Sequence, residues 1–565
     1  MVESRQWQEV RGPLSLSLGI TALVWLLLFV VVIFDPAGHH AGSMQINQAA
    51  SSNQTLPVTG NAQGPLQGAM TAGESWGYEP ERPKTVPFDF SYAKGSDDLP
   101  MDIAPLAKTA SEVEPEQIHI ALAGDNAMYI SWATGNASVV EGLPRIVSRP
   151  TLASVVVYGN ESGWYDGVAS GEATAYVQTY PDFSYVSGTF HHVRLSGLQA
   201  NASYYFKCGD PAVALSRELR FSTPQPPGPA AFPQRIGVIA DLGQTHNSSA
   251  TLQHLIQSQP PVVLLVGDLT YADNYFTNGT LRPPMTPPKA YQETFQPRWD
   301  AWGRFVEPLA SQVPMMVVEG NHEVEADSAG KKFLAYNARY RVPHQESGSG
   351  SPLYYSFDLA GSHILMLGAY ANWKEGSEQY KWLAADLAAL NRSRTPWLIA
   401  TFHAPWYNTY IAHYKELECM RIALEPLLYK YGVDIIFAGH VHAYERCNRV
   451  YNYTVDPCGP IHVTIGDGGN IEKLYTDWVD RPPSNCPSSS TSTCPSLQEG
   501  RFCPAQQPAW SAYREPSFGH GVLELVSARE ATWTWHKNQD SLAVASDTVT
   551  IKRNLQCANQ LKRRR

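Results

Sequence analysis

The sequence lacks the features by which several large classes of protein are recognised. It has no excess of basic residues, because 42 lysines and arginines stand against 52 aspartates and glutamates among 565 residues. Nucleic-acid-binding domains usually present a basic face, so this balance argues against a nucleic-acid partner. No Gly-x4-Gly-Lys-Ser/Thr loop occurs either, and an NTPase of the P-loop kind therefore has no support.

Cysteine is scarce and is never arranged as Cys-x-x-Cys. The eight cysteines are Cys208, Cys419, Cys447, Cys458, Cys486, Cys494, Cys503 and Cys557. Without a Cys-x-x-Cys pair a zinc knuckle has little support. In an oxidising compartment some of the eight would form disulfides, but the spacing does not determine which.

Charge is absent from a long apolar segment near the N-terminus. Leu14–Phe34 contains 21 residues without a charged side chain, and a helix of this length spans the roughly 30 Å hydrocarbon core of a membrane. Arg5 and Arg11 precede the segment and no lysine or arginine follows until Arg82, which places residues 1–13 in the cytosol. We expect a signal anchor of a single-pass type II membrane protein, with a cleaved signal peptide and a secreted product as the alternative.

Asn-x-Ser/Thr sequons support export of the remainder through the secretory pathway. They occur at Asn53, Asn136, Asn160, Asn201, Asn247, Asn278, Asn391 and Asn452. These asparagines are the predicted glycosylation sites.

Residues 35–112 and 113–225 differ sharply in pattern. The first segment is rich in Gly, Ala, Ser, Gln and Pro, a composition typical of a flexible stalk. The second contains short strand-like runs separated by turn residues, which predicts a β-sandwich. Leu198 followed by Tyr204 is similar to the tyrosine corner of fibronectin-III-like domains, and Trp132 is expected in the core. The pair His191-His192 is interpreted as half-exposed strand histidines, with metal binding as the alternative.

Residues 234–540 alternate apolar runs of four to eight residues with helix-like stretches. Near-continuous apolar strands indicate a sheet covered on both faces, and hence an α/β domain with layered sheets. Residues 541–565 are interpreted as a C-terminal tail.

Polar residues follow five of these predicted strands directly. They are Asp241, Gly267-Asp268-Leu269-Thr270-Tyr271, Gly320-Asn321-His322-Glu323, His403 and Gly439-His440-Val441-His442. Ligands of α/β sheets bind outside the carboxyl ends of the strands, so these side chains are expected to converge. Carboxylates, an amide, a phenol and imidazoles without a thiolate suit two hard or borderline cations. Gly-Asp, Gly-Asn and Asp-Leu-Gly are common turn sequences, and His403 alone would be a structural histidine, but five blocks in this order favour a functional site.

The order Asp, Gly-Asp-x-x-Tyr, Gly-Asn-His-Glu, x-x-x-His and Gly-His-x-His resembles that of the purple acid phosphatases, members of the calcineurin-like metallophosphoesterase superfamily. The flanking sequences 405–408, 437–446 and 517–520 are also similar. The resemblance covers about residues 113 to 540 and is closest to the large, plant-type members, which carry an N-terminal β-sandwich.

This resemblance implies a ligand assignment. Asp241, Tyr271 and His442 would bind a ferric ion, Asn321, His403 and His440 would bind a divalent ion (zinc, manganese or ferrous iron), and Asp268 would bridge the two. His322 and His413 would contact the substrate, and one of them would protonate the leaving oxygen. Ala412 departs from some plant members, which carry a histidine there.

The implied activity is hydrolysis of phosphate monoesters by an acid phosphatase. A nucleotide pyrophosphatase or phosphodiesterase using the same site is the alternative. A non-catalytic surface protein is disfavoured because all seven ligand positions are present. A homodimer remains open, as does the role of the cysteine-containing insert at 480–509, which follows Gly466–Asn470 in sequence.

Overall fold

The structure is a computed structural model that describes residues 78–89, 97–142, 151–181, 183–228, 230–273, 294–480, 503–539, 542–555 and 557. The apolar segment 14–34, the sequons at Asn53 and Asn278, and most of the insert 480–509 lie outside these residues. Among the helices in the described ranges, none has the length and apolar character needed to cross a membrane.

The N-terminal domain is the predicted β-sandwich. One sheet contains, in spatial order, Glu116–Leu122, Ala127–Thr134, Thr189–Ser196 and Glu172–Thr174. A second contains Ala214–Leu215, Ser203–Asp210, Val155–Gly159 and Gly167–Ser170, with Leu219–Ser222 also paired to Ser203–Asp210. A third, small sheet contains Ser138–Glu141, Phe183–Val186 and Val177–Thr179.

Two sequence-based expectations for the sandwich core are confirmed and one is wrong. Trp132 is 1% exposed, and the Gln199 N–H donates to Tyr204 Oη at 2.9 Å, as in a tyrosine corner. The expectation of half-exposed histidines fails, because both His191 and His192 are buried. Serine and threonine hydroxyls pair with three of the four ring nitrogens, and His192 Nε2 pairs with the Ala338 carbonyl, so burial leaves no ring nitrogen without a partner.

The α/β domain predicted from residue 234 onward contains two mixed sheets. The larger has eight strands in the order Lys84–Thr85, Ser511–Glu515, Tyr444–Cys447, Ile461–Ile465, Ile435–Ala438, Trp397–Thr401, Ser362–Met366 and Tyr355–Leu359. The smaller has six in the order Met315–Val318, Val263–Val266, Gln234–Ile239, Gly519–Leu525, Glu530–Gln539 and Leu542–Lys552. A separate two-stranded ribbon pairs Val450–Tyr451 with Thr454–Val455.

The helices are His246–Gln257, Pro297–Ala310, Leu334–Arg339, Glu378–Ala389 and Glu418–Tyr431, with a short 3₁₀ turn at Asn321–Glu323. Their ends follow capping chemistry: the Thr245 hydroxyl accepts the first free N–H groups of His246–Gln257, and Gly432 ends Glu418–Tyr431 at φ 69°. Apolar helix residues such as Leu383 and Leu424 cover one face of the eight-stranded sheet. On its other face this sheet contacts the six-stranded sheet, where the rings of Phe437 and Trp533 lie 5.0 Å apart.

Part of the segment interpreted as a flexible stalk is packed against the α/β domain. Lys84–Thr85 forms the edge of the eight-stranded sheet, and Leu99 and Leu106 are buried. Glu81 accepts both η nitrogens of the buried Arg446, at 2.8 and 2.9 Å. Apolar burial and this ion pair hold the described part of the segment in place despite its stalk-like composition.

The C-terminal tail interpretation is also wrong for the part that is described. Leu542–Lys552 is a strand paired along its length with Glu530–Gln539, so the α/β domain continues past residue 540. Cys557 beyond it forms a disulfide with Cys458. Cys419 and Cys503 are also disulfide-bonded, whereas Cys208 and Cys447 are free and buried.

Six predicted glycosylation sites lie in the described residues. Asn136, Asn160, Asn201, Asn391 and Asn452 are exposed. Asn247 is different, because its Nδ2 is buried without a hydrogen-bond partner. A glycan at Asn247 would therefore require local rearrangement of the first turn of His246–Gln257.

The Cys458–Cys557 disulfide is expected to hold the C-terminal strand in the sheet. It joins residues 99 apart in sequence, so replacing both cysteines by serine should lower the free energy of unfolding by about 2–5 kcal/mol. Chemical denaturation of the double variant and the unsubstituted protein measures this difference. Identical denaturation midpoints would show that the cross-link contributes nothing to stability.

Candidate metal centre

The candidate site lies at the carboxyl ends of strands from both catalytic sheets. Strand by strand it comprises Asp241 after Gln234–Ile239, Asp268 and Tyr271 after Val263–Val266, Asn321 and His322 after Met315–Val318, His403 after Trp397–Thr401, and His440 and His442 after Ile435–Ala438. Within each sheet these strands run parallel. Their ends therefore meet at one edge, which is where α/β sheets bind ligands.

The backbone turns sharply at these strand ends. Asp241, Asp268, Tyr271 and His440 all have left-handed φ angles, between 51° and 67°. Such a conformation costs a residue other than glycine about 1–3 kcal/mol and persists only where surrounding contacts impose it. Four candidate site residues are thus held in this conformation, which also occurs at described residues outside the site such as Gln117 and Ala360.

Neighbouring glycines make room for the ligand side chains. A Cβ atom at Gly320 would lie 2.1 Å from Asp268 Oδ1, and one at Gly439 would lie 2.3 Å from Asp241 Oδ2. Any other residue at either position would displace a carboxylate. Glycine is therefore required at these two positions for steric reasons, in addition to its role in forming the turns.

Two fully buried carboxylates form the middle of the site. Asp241 accepts the His440 backbone N–H through both oxygens, at 2.9 and 2.8 Å. Asp268 Oδ1 accepts the His322 N–H at 3.0 Å, and its Oδ2 lies 2.8 Å from His403 Nε2. Burial opposes ionisation, but the imidazoles of His403 and His322 hold the pKa of Asp268 below its usual range. Asp268 is thus arranged as a carboxylate.

Glu323 holds the turn that carries Asp268. Its carboxylate accepts the backbone N–H groups of Asp268, Leu269 and Gly320, at 2.8 to 2.9 Å. Burial, together with the Asp268 charge, raises the pKa of Glu323 to about 8. Glu323 thereby links two of the sequence motifs.

Besides a set formed by His413, Glu416 and His440, the site holds two sets of donor atoms that share Asp268. One set contains Asp241, Asp268 and His442, and the other contains Asp268, His403 and His440; within each set the ligand atoms lie within 4.8 Å of one another. A carboxylate shared between two sets is the arrangement that bridges a pair of metal ions. Asn321 lies at the same strand end, and its Oδ1 accepts a hydrogen bond from Tyr370 Oη at 3.4 Å.

The Tyr271 hydroxyl lies in the first of these sets. Its Oη is 3.2 Å from Asp241 Oδ1, 3.4 Å from Asp268 Oδ2 and 3.1 Å from His442 Nε2. Burial and the two carboxylates raise the pKa of Tyr271 well above its usual value. A phenolate at this position therefore requires a strongly charged cation beside it.

The histidines are oriented as metal ligands. His403 Nδ1 pairs with the Val266 carbonyl at 2.8 Å and His442 Nδ1 with the Lys473 carbonyl at 3.1 Å, so the Nε2 atoms of both rings face the carboxylates. Among the described residues, His440 Nδ1 is buried without a hydrogen-bond partner, whereas His403 Nε2 lies 2.8 Å from Asp268 Oδ2. In the described parts of the chain no lysine or arginine forms an ion pair with Asp241 or Asp268. The residues fit two cations held by oxygen and nitrogen donors.

His322 lies beside the first donor set. Its Nδ1 is 2.6 Å from Asp273 Oδ1, and its Nε2 is 3.8 Å from Asp268 Oδ2 and 3.7 Å from Glu472 Oε1. Burial lowers the pKa of His322, but the carboxylates of Asp273 and Asp268 more than reverse this and raise it well above its usual value. Asp273 thereby favours a protonated ring.

His413 lies on the opposite, more open side of the site. Its side chain is 30% exposed, and its Nδ1 is 2.6 Å from Glu416 Oε2. Its Nε2 is 3.2 Å from Tyr475 Oη, and its ring centroid is 3.8 Å from that of His440. The two predicted substrate histidines therefore flank the donor sets, each with a carboxylate on Nδ1.

Four site residues were not identified from the sequence: Asp273, Glu416, Glu472 and Tyr475. Glu416 follows His413 by three residues in sequence. This short spacing between a carboxylate and a candidate proton donor could have identified Glu416 from the sequence. Tyr475 stacks on His442 with 4.7 Å between ring centroids and an angle of 9°. Its sequence context gave no indication of this contact, which arises from the loop after Ile461–Ile465.

Comparison with known proteins gives matches to three family profiles. Residues 115–223 match the purple acid phosphatase N-terminal domain and residues 234–444 match the calcineurin-like phosphoesterases. Residues 496–546 match the iron/zinc purple acid phosphatase-like protein C. The first two matches agree with the sandwich and the catalytic domain.

Individual relatives extend the similarity over most of the chain. Purple acid phosphatase 15 of Arabidopsis thaliana is 45% identical over 491 residues, which cover 83% of this chain and 91% of the relative. A phosphoenolpyruvate phosphatase of Allium cepa is 38% identical and covers 83% of this chain and 88% of the relative. The purple acid phosphatase PPD1 of yellow lupin (Lupinus luteus) shares the fold, with a TM-score of 0.59, 21% identity and coverage of 79% of this chain and 75% of that one. This chain belongs to the purple acid phosphatase family of phosphoesterases.

Proposed function

We propose that the protein hydrolyses phosphate monoesters at a binuclear centre of one ferric and one divalent ion. The observation that carries the proposal is the pair of donor sets sharing Asp268. Asp241, Tyr271 and His442 would hold the ferric ion, and Asn321, His403 and His440 would hold zinc, manganese or ferrous iron. When bound, such a pair supplies positive charge for the phosphate oxygens and lowers the pKa of a water molecule.

The histidines supply the proton and the orientation of the ester. His322 and His413 flank the donor sets and would hydrogen-bond the phosphoryl oxygens. A protonated imidazole would then donate its proton to the leaving oxygen as the phosphorus–oxygen bond breaks. The Asp273 carboxylate on Nδ1 of His322 supports this role because it raises the pKa of that ring.

Monoesters are favoured as substrates by the relatives as well as by the site. The similar Allium protein is named for phosphoenolpyruvate, a phosphate monoester. A monoester presents more negative charge than a diester, which suits a site where two cations would lie beside His322, whose pKa is raised. Export also fits, since the Cys458–Cys557 disulfide and exposed sequon asparagines are typical of the secretory pathway.

Kinetics on three esters tests the proposal. The metal-loaded protein should hydrolyse p-nitrophenyl phosphate with a higher kcat/KM than bis-p-nitrophenyl phosphate. In His322→Ala or His413→Ala, kcat on β-glycerophosphate, a poor leaving group, should fall about 10²-fold or more. The loss should be smaller on p-nitrophenyl phosphate, because nitrophenolate leaves without a proton.

The control is His344→Ala, because His344 pairs with the Val342 carbonyl outside the site. It should retain full activity, and all variants should retain the same metal content. Unchanged kcat in both His322→Ala and His413→Ala would remove the histidines from the mechanism, and faster diester hydrolysis would replace the monoesterase proposal.

The pH–rate profile of Asp273→Asn tests the proton donor. The Asp273 charge raises the pKa of His322, so its removal should lower that pKa. Because the protonated ring donates, activity is present below the pKa of His322 and is lost as pH rises through it. The alkaline limb of kcat on β-glycerophosphate should therefore move to lower pH in Asp273→Asn, and an unmoved limb would show that His322 is not the donor.

A further inference from the structure

A second cavity lies at the opposite end of the strands that carry the metal-site histidines. This basal cavity, of about 530 Å³, is lined by Arg392, Lys430, Asp434, Arg449, Arg553 and the Cys458–Cys557 disulfide, among others. Asp434 immediately precedes the strand Ile435–Ala438, and His440 follows it. Six residues of extended chain span about 20 Å, so the basal cavity is separate from the candidate metal centre.

The cavity carries more positive than negative charge. Among the described residues, its lining contains four cationic side chains and one carboxylate, that of Asp434. Asp434 Oδ2 is already occupied by the Leu398 N–H at 3.0 Å and by Arg392 Nη2 at 2.6 Å. The single carboxylate of Asp434 therefore cannot neutralise all four cationic side chains.

Two of the arginines have mainly neutral acceptors. Arg449 donates from Nη1 to the Gly459 carbonyl at 2.9 Å and from Nη2 to the Lys552 carbonyl at 2.6 Å. Arg553 donates from Nη1 to the Ala528 carbonyl at 2.8 Å, while its buried Nε has no hydrogen-bond partner and lies 3.6 Å from Asp434 Oδ1. These two guanidinium groups are buried without a full counter-charge.

The electrostatics agree with this geometry. Burial lowers the pKa of Arg449 and of Arg553, and the Asp434 charge only partly opposes it. The neighbouring Arg392 charge lowers the pKa of Arg553 further. Guanidinium groups that repel one another in a half-enclosed cavity are stabilised by an anion that accepts several N–H bonds at once.

The other wall of the cavity is apolar. Leu387, Leu390 and Val433 line it together with the disulfide. The volume lies within the range of roughly 300–1,000 Å³ that is usual for small-molecule sites, and it exceeds what one phosphate ion fills. Asn391 also lines the cavity, so a glycan attached to its exposed side chain would stand at the mouth.

We propose that the basal cavity is a second, non-catalytic anion site that binds a phosphate group. The arginines and Lys430 would contact the phosphate oxygens, and the leucine wall would contact an organic substituent where one is present. The ligand is either inorganic phosphate, the product of the proposed reaction, or a small phosphorylated molecule. The site is built from residues that take no part in the metal centre.

Calorimetric titration of the metal-loaded, full-length protein tests the site. The probes are inorganic phosphate and phenylphosphonate, whose carbon–phosphorus bond resists hydrolysis. We expect two bound equivalents of anion per chain, and only one in Arg392→Gln/Lys430→Gln, with binding at the lost site about tenfold or more weaker. Tighter binding of phenylphosphonate than of phosphate at this site would identify an organic phosphate as the ligand, and equal binding would identify the free ion.

Three controls separate this site from the catalytic one. The competitive inhibition constant of phosphate, which reports on the catalytic site, should be the same in the variant, as should kcat. Lys430→Gln alone changes an exposed residue. This variant should bind the second equivalent of anion more weakly, without any effect on folding. Lys381→Gln, whose side chain is 62% exposed and outside the cavity lining, should change neither equivalent.

A single equivalent in the unsubstituted protein, or two unchanged equivalents in the double variant, would overturn the proposal. Because the readout is stoichiometry, it does not depend on turnover. A protein that binds two anions but hydrolyses no ester would contradict the proposed function while leaving this inference intact.

Discussion

The burial of two adjacent carboxylates, Asp241 and Asp268, is the constraint on which the rest of the structure depends. Both are fully buried, and burying an ionised carboxylate costs several kcal/mol even after relaxation. Backbone N–H groups and the His403 ring offset part of that cost. The remainder would be offset if two cations occupied the donor sets, toward which the Nε2 atoms of His403 and His442 are directed.

Segments from both the N-terminal and the C-terminal part of the described chain contact the strand that follows His442. Strand Tyr444–Cys447 starts two residues after His442, and its Arg446 is buried between two acidic partners. Glu81 reaches Arg446 from the N-terminal side and Asp547 from the C-terminal strand. The two segments interpreted as stalk and tail thus converge on the strand that follows a metal-site histidine.

Much of the fold and site was predictable, because strands and motifs are local in sequence. Apolar runs located the catalytic strands, and polar residues directly after them, such as Asp268 and His440, converge as the strand-end rule predicts. What was missed depends on long-range contacts. Composition did not reveal that Leu99 is buried by residues far along the chain, and no local pattern placed the Tyr475 ring on His442. The buried pair His191-His192 shows the same limit, since hydroxyl partners on other strands make its burial tolerable.

The visible absorption spectrum of the purified protein, recorded with its metal content, tests the central claim most directly. A broad band in the green with about one iron and one further metal per chain is the expected result, because a phenolate at Tyr271 bound to ferric iron absorbs there. Tyr271→Phe should lose the band while keeping the fold. A colourless protein containing two zinc or manganese ions would contradict the ferric assignment, and a protein that binds no metal would contradict the account of the buried carboxylates.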